Sequence, residues 1–169
     1  MQIATKAGGE GSTKADGRLN LPKDHQLMEC LGTLDELNSF LGDAKASLKC
    51  GSCDIKTIDI IEGIQKDLYM LMAFLAVKTG ELTVSAESLN SLIDQLESEL
   101  PAAAGFVIPG ENPASAKLHI ARTVCRRCER RLVSLEFDKN SKELVLNYIN
   151  LLSNLLFLLA LRTAYVVTL

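Results

Sequence analysis

The most concentrated chemistry in the chain is RTVCRRCERRL, residues 122–132. Five arginines fall there within eleven residues, in a protein with 18 Lys and Arg in all and a formal net charge of -3. Guanidinium groups make planar, two-pronged contacts to phosphate oxygens, so such a row beside a loop of small residues suits a polyphosphate. A loop of that composition lies near the start: TKAGGEGSTKADGRLNLPKD, residues 5–24, is polar and rich in glycine. It contains no Gly-x4-Gly-Lys-Ser/Thr and is not a Walker A loop, but its small residues and hydroxyls let backbone N–H groups approach an anion closely. The competing reading of the arginines is a solvated helix face balanced by acidic residues elsewhere.

Cysteine offers a second possible chemistry. CGSC at 50–53 and CRRC at 125–128 are two CxxC pairs, the arithmetic of a zinc site or a redox pair. The second pair, however, falls in an apolar stripe, where free cysteine acts as a small hydrophobe. His25 and His119 complete no ligand pattern, so no metal site is assigned to the protein's own side chains. A third constellation, Asn147, Asn150, Ser153 and Asn154, recurs at three and four and so shares one face of a helix.

The elements that must position these groups are helical. Leu27, Leu31, Leu34, Leu37, Leu41 and Leu48 recur at helical spacing and give a first helix over about 25–48. KCGSCD interrupts it, and IKTIDIIEGIQKDLYMLMAFLAVKTG carries a second, which Gly80 can cap. Its apolar residues nearly encircle it, which implies burial on several sides or an oligomer interface. A third helix spans about 86–99 before Pro101. The fourth starts at Asn112-Pro113, an N-cap followed by proline at the first helical position. On this helix Leu118, Ala121, Val124, Cys125, Cys128, Leu132 and Leu135 form the core stripe, and Arg122, Arg126, Glu129 and Arg130 gather opposite. The asparagine-striped C-terminal run is the fifth helix. The expected fold is an all-α five-helix bundle: residues 1–24 form a glycine-rich loop without strand alternation, and residues 25–169 form the bundle, in a single domain.

Composition excludes several classes. At 47% hydrophobic and 23% charged the chain is globular, and a sequence pI near 5.4 argues against a general nucleic-acid binder. Five cysteines with no secretory-type leader point to a reduced, cytoplasmic protein. The last helix is long and apolar enough to be considered as a membrane span, but its asparagine face suits a bundle helix lining a site.

TKAGGEGST, PKD at 22–24, GTLDELNS at 32–39, FVIPG at 106–110, LHIARTVCRRCERR at 118–131 and NLLSNLLF at 150–157 resemble, in order and spacing, the PduO-type ATP:cob(I)alamin adenosyltransferases. The resemblance covers nearly the whole chain. It implies a homotrimer of five-helix bundles with ATP and the corrinoid at clefts between subunits. In that family Co(I) of cobalamin attacks the 5′ carbon of ATP, triphosphate leaves, and Mg²⁺ assists. Thr5, Lys6, Gly8, Gly11 and Thr13 then match the phosphate-binding loop, Lys23 the PKD lysine, and Arg126, Glu129 and Asn150 the ATP-contacting positions. Asp35 and Arg122 match an intersubunit salt bridge. Phe106 matches the aromatic residue that displaces the lower cobalt ligand; without the resemblance it would be read as core packing. A cobalamin-dependent enzyme or a reductase is the implied macromolecular partner.

Several positions depart from the family pattern. Ala7 and Gly9 replace a polar residue and an aspartate in the loop, and Glu111 replaces a glycine after Pro109-Gly110. Leu151 and Asn154 stand where the last motif carries arginine and aspartate, and Leu161 where an arginine is usual, with Arg162 displaced by one. Three readings follow: an active adenosyltransferase with altered affinity, a diverged relative that binds nucleotide or corrinoid without transfer, and a helical module whose arginines contact an acidic partner.

Overall fold

The computed structural model describes residues 9–14, 20–51, 54–77, 82–101 and 105–166. Five helices account for nearly all of it: α1 (Gln26–Cys50), α2 (Ile55–Val77), α3 (Ala86–Glu99), α4 (Pro113–Ser134) and α5 (Lys139–Val166). The all-α bundle expected from the periodicity is the observed fold. Gly80, expected to cap α2, lies outside the described residues.

Local chemistry sets the helix ends. The His25 imidazole accepts from the Leu27 N–H at the start of α1, and Ser85 caps α3 through the Ser88 N–H. Asn112 accepts from the Ser115 N–H at 2.9 Å, with Pro113 in the first turn of α4. The fifth helix begins earlier than its apolar run suggests. Asp138 accepts the Ser141 N–H at 2.9 Å and so starts a polar turn ahead of the hydrophobic residues.

The glycine-rich segment departs from expectation. Ser12–Lys14 (β1) and Asn20–Pro22 (β2) pair antiparallel, with Thr13 opposite Leu21, and the Lys23 N–H extends the ribbon to the Gly11 carbonyl at 2.9 Å. Three-residue strands are too short to show alternation. Leu21 packs against the bundle core and fixes the ribbon's face. Gly11, at φ +76°, holds a left-handed conformation that disfavours any side chain.

The core is built around α4, which packs chiefly against α1 on one side and α5 on the other. Leu118, Ala121, Cys125, Cys128 and Leu132 are fully buried, and Val124 and Leu135 nearly so, as the stripe predicts. The α4–α5 pair is pinned at one end by Ser115 Oγ donating to the Ala160 carbonyl and Asn112 Nδ2 donating to that of Thr163. α2 buries one face, including Ile61, Leu68 and Leu71, but leaves Ile55, Tyr69, Met70 and Val77 exposed, so the chain alone does not cover its apolar circumference. α5 is long and apolar enough to cross a membrane, yet more than half of that stretch is buried in the bundle.

The cysteines of the stripe are part of this packing. Cys125 donates to the Ile149 carbonyl at 3.4 Å, and burial raises its pKa strongly. Burial also pushes Cys128 up to about 12 and Cys30 up to about 11. All three are protonated at neutral pH and are poor nucleophiles. Cys50 is exposed, and Cys53 lies outside the described residues.

Arg162 ties three elements together at the other rim. It donates through Nε to Asp54 at 3.0 Å and through Nη1 to Glu99 at 2.7 Å, while Lys56 also reaches Glu99. Burial pushes the Asp54 carboxyl up, but hydrogen bonds from the Thr57 hydroxyl and N–H and from Arg162 outweigh it, leaving the group below its ordinary value.

Two predictions follow from this packing. Cys30, Cys125 and Cys128 should react with an aromatic disulfide reagent only as fast as the bundle opens; modification at the rate of exposed Cys50 would contradict their burial. For Asp54 the folded pKa is depressed, so its stabilising contribution is present above the unfolded value of about 4 and is lost as pH falls through the folded value. Asp54→Asn should therefore flatten the acid limb of Tm against pH, and an unchanged limb would remove Asp54 as its source.

Candidate active site

The arginine cluster lies along both edges of the core stripe, and this corrects the single opposed row read from the helical wheel. On the α1 edge Arg127 pairs with Glu36, Arg131 with Glu29 at 2.8 Å, and Lys117 with Asp43 at 2.6 Å. Their acidic partners recur every seven residues on α1 and so share one face. Arg131 also donates to the Thr33 hydroxyl, itself bonded to the Glu29 carbonyl at 2.6 Å. These cations anchor α4 to α1. Arg130 is exposed and turns back to the Arg126 carbonyl at 3.0 Å.

On the other edge, Arg122, Arg126 and Glu129 open onto a cleft of about 920 Å³ between α3, α4 and α5. Arg126 and Glu129, one turn apart, form an ion pair at 2.5 Å, with the Arg126 side chain half exposed. The α5 wall presents Asn150, Ser153 and Asn154, then Phe157, Leu158 and Leu161. Ile93, Glu97 and Leu100 of α3, with Pro101, form the far side. Arg122, Arg126, Glu129 and Asn150, chosen from sequence, are thus brought to one cavity. Glu97 and Phe157 were missed. Phe157 continues the 150, 153, 154 spacing and could have been found that way, whereas the α3 wall arrives by a tertiary contact that no local pattern announces.

Electrostatically the cleft carries two arginines against Glu97 and Glu129, with amide and hydroxyl groups between. Arg122 lies with its Cζ 6.0 Å from the Phe157 ring centroid, and its buried Nε has no hydrogen-bond partner among the described residues. His119, one turn earlier, meets the same ring edge-on at 6.0 Å. Burial, and secondarily the Arg122 charge, hold this imidazole below its ordinary pKa. Asp35 is exposed on α1 and makes no ion pair with Arg122 within the chain.

The other expected site residues fall around this centre. Phe106 is fully exposed on the loop before α4, which removes core packing as its role, and Ile108 beside it is also exposed. Gly110, at φ +123°, supplies a turn that a side chain would strain, and the departure Glu111 is exposed next to it. Thr13 is part-buried in β1, and Lys23 is exposed just after β2. Thr5, Lys6 and Gly8, with the departure at Ala7, lie outside the described residues. Leu161 lines the cleft, while Arg162 is committed to Asp54 and Glu99 and does not restore a charge there. Leu151 packs at the margin of the core, not in the cleft.

Comparison with known proteins gives a consistent relationship. The family model described as cobalamin adenosyltransferase matches residues 3–163. The chain is 38% identical over 164 residues to a corrinoid adenosyltransferase of Bacillus subtilis, covering 93% of this chain and 83% of that one. It is 34% identical over 168 residues to the corrinoid adenosyltransferase PduO of Salmonella typhimurium, covering 95% of this chain but 49% of the relative, so it spans about half the length of that protein. Among solved structures, a variant PduO-type ATP:corrinoid adenosyltransferase from Lactobacillus reuteri, complexed with cobalamin and ATP, superposes with a TM-score of 0.86 at 30% identity, covering 98% of this chain and 94% of that one. Another variant of that enzyme, complexed with ATP, gives a TM-score of 0.84 at 31% identity, covering 97% and 95%. With its bundle, its arginine-lined cleft and a match over nearly its whole length, the chain belongs to the cobalamin adenosyltransferase family.

Proposed function

We propose that the protein transfers the 5′-deoxyadenosyl group of ATP to cob(I)alamin, forming the cobalt–carbon bond of adenosylcobalamin and releasing triphosphate. The observation that carries this reading is the convergence of Arg122, Arg126, Glu129 and Asn150 on one cleft. As the bond from the ribose 5′ carbon to oxygen breaks, charge builds on the departing triphosphate. A guanidinium fixed beside it stabilises that charge without reorganising solvent. Glu129 aims Arg126 through their ion pair, and Asn150 offers an amide to the nucleotide. The N-terminal segment, with Thr5, Lys6, Gly8, Gly11, Thr13 and Lys23, serves as the phosphate loop, supported by a ribbon that β-pairing and Leu21 fix against the bundle.

The donor set fits a Mg²⁺ ion that takes most of its ligands from phosphate and water, because Glu97 and Glu129 offer carboxylate oxygens beside the amides of Asn150 and Asn154. When bound it neutralises part of the triphosphate charge. Phe106, fully exposed on its loop, is assigned to the lower face of the corrinoid, where it excludes the axial ligand. A homotrimer completes the site. Asp35 and Arg122, which have no ion-pair partner among the described residues, and the exposed apolar residues of α2 and α4 support such an assembly, in which Asp35 of one subunit meets Arg122 of the next. The reaction is assigned to the cytoplasm, with a corrinoid reductase or a cobalamin-dependent enzyme as partner.

A second reading, a relative that binds nucleotide or corrinoid without transfer, is favoured by one observation. Leu161 leaves the cleft wall apolar, and Arg162 is held elsewhere. Incubating the protein anaerobically with chemically reduced cob(I)alamin, ATP and Mg²⁺ separates the two. Formation of light-sensitive adenosylcobalamin above a protein-free control supports transfer, whereas binding without product supports the second reading.

For the active protein, Arg126→Ala should lower kcat by about 10²–10³ while the helical circular dichroism is retained; an unchanged rate would remove Arg126 from the reaction. Phe106→Ala should bind ATP normally but lose the electron paramagnetic signature of four-coordinate cob(II)alamin, and persistence of that signal would show that another group clears the axial position.

A further inference from the structure

Beside the main cleft, at the start of α4, lies a second cavity of about 330 Å³ to which the transfer reading gives no occupant. Val107 and Ile108 of the loop before α4, Leu161 and Tyr165 of α5, and the polar residues Glu111 and His119 line it. Leu161 also lines the cleft, so the two spaces share a wall. The backbone that carries Glu111 is fixed on both sides. Gly110 turns the chain before it at φ +123°, and Asn112 after it caps α4 by accepting the Ser115 N–H at 2.9 Å. A carboxylate is favoured at that place because it lies just ahead of a helix N-terminus.

The polar groups of this cavity are biased toward accepting hydrogen bonds. Ser115, which also lines it, already donates its hydroxyl proton to the Ala160 carbonyl at 2.9 Å, so only its lone pairs are left. His119 is 4% exposed, and its Nδ1 is buried with no hydrogen-bond partner among the described residues. Burial, and secondarily the Arg122 charge, keep this imidazole neutral, and the tautomer with its lone pair on Nδ1 accepts an N–H. Glu111 is exposed, enters no ion pair among the described residues, and is the one charged side chain in the lining. Such a set fits an N–H donor carried on an apolar arm. A carboxylate or phosphate would face Glu111 with no lining cation to offset it, and a wholly apolar group would leave the buried His119 nitrogen unmet.

We propose that this cavity receives one primary carboxamide arm from the rim of the corrinoid, its NH2 group donating to Glu111 and to His119 Nδ1, and that Glu111 thereby selects amidated corrinoids over those with a carboxylate on that arm. The inference rests on the transfer reading, which seats the corrinoid against exposed Phe106, two residues before Ile108. Cobalamin carries methylene arms ending in primary amides, and an amide NH2 offers two donors, one for each acceptor. The apolar stem then lies along Val107, Ile108 and Leu161. Because Glu111 stands where the family pattern has glycine, the preference belongs to this chain and not to the shared chemistry of the cleft.

The test compares cobalamin with its separate monocarboxylate isomers, each with one side-chain amide hydrolysed, at neutral pH in wild-type protein and in Glu111→Gln. For one isomer the wild type should lose about tenfold in kcat/KM relative to cobalamin, with the loss in KM for the corrinoid, and Glu111→Gln should shrink that loss to about twofold. Each protein is judged by its own ratio, so an overall change in rate cancels. Added salt should shrink the loss as well, because Glu111 is exposed and its repulsion is screened. Equal use of every isomer by the wild type would overturn the proposal. So would a loss that Glu111→Gln leaves intact, since the carboxylate would then serve only the start of α4. If corrinoid binds without turnover, the transfer reading fails, and the same ratios taken from dissociation constants of the cob(II) forms decide the inference alone. If no corrinoid binds, both fall.

A second measurement reads the cavity without turnover. The chain has only two histidines, His25 and His119, so their imidazole nitrogens are readily distinguished by magnetic resonance in histidine-labelled protein. On addition of diamagnetic cobinamide, which keeps the amide arms and lacks the nucleotide tail, the His119 Nδ1 resonance should shift as that nitrogen accepts an N–H. A His119 resonance unmoved at saturation would place the arm elsewhere and end the proposal.

Discussion

The two-sided packing of α4 is the constraint from which the rest of the structure follows. Its stripe of Leu118, Ala121, Cys125, Cys128 and Leu132 must be buried against α1 and α5 at once, and each fully buried leucine contributes about 1.5–3 kcal/mol. A helix buried on a central stripe has two edges, and α4 carries arginine on both. The edge nearer α1 meets Glu29, Glu36 and Asp43, while on the edge nearer α5 Arg126 pairs with Glu129 of its own helix and Arg122 has no ion-pair partner among the described residues. Pairing on the first side fixes the helix; incomplete pairing on the second leaves a guanidinium facing a cavity that Glu97 also lines. Exposed ion pairs are individually worth little, so the anchoring edge sets rotation and register more than stability.

That asymmetry explains why some of the site was legible in sequence and some was not. Asn112-Pro113 announced the start of α4 because capping is local chemistry, and the stripe was readable because helical periodicity is local too. Once both were set, the positions of Arg122, Arg126 and Glu129 along one edge followed. Which arginines would be consumed by α1 did not, since Glu36 and Arg127 are 91 residues apart in sequence. The Ser12–Lys14 ribbon was hidden for a different reason: three residues of strand show no period, and its order comes from pairing and from Leu21 seated on the core. The early start of α5 was masked by the polarity of Asp138 to Lys142, where a capping carboxylate and not an apolar pattern begins the helix.

The two CxxC pairs show how composition misleads when the face is ignored. Cys125 and Cys128 have ligand spacing, but on a helix that spacing also places both in the buried stripe. Desolvation then raises the thiols far from the thiolate state that metals and disulfides need. The same test, applied to Phe106, gives the opposite result. An aromatic side chain left fully exposed next to an exposed Ile108 has no role in holding this fold, and the loop bends there through Gly110 to keep both outside the core. Exposed apolar side chains grouped on a turn of fixed geometry suit contact with a large apolar ligand or a second subunit.

The substitutions in the last helix are best understood through the cost of unpaired charge. A buried or half-buried ion left without its partner is strongly destabilising, whereas losing both partners can be nearly neutral. Leu151 and Asn154 sit one turn apart, and the structure accommodates both without strain: Leu151 packs on the core margin, and Asn154 presents an amide to the cleft. Position 161 is different, because Leu161 borders both cavities while Arg162, 100° further round the helix, is drawn into the Asp54 and Glu99 network. The positive charge of this stretch therefore sits at the rim that ties α2, α3 and α5 together and not at the cleft wall. With that wall apolar, Arg122 and Arg126 are the cations that line the described cleft, and Phe157 lies against the first of them.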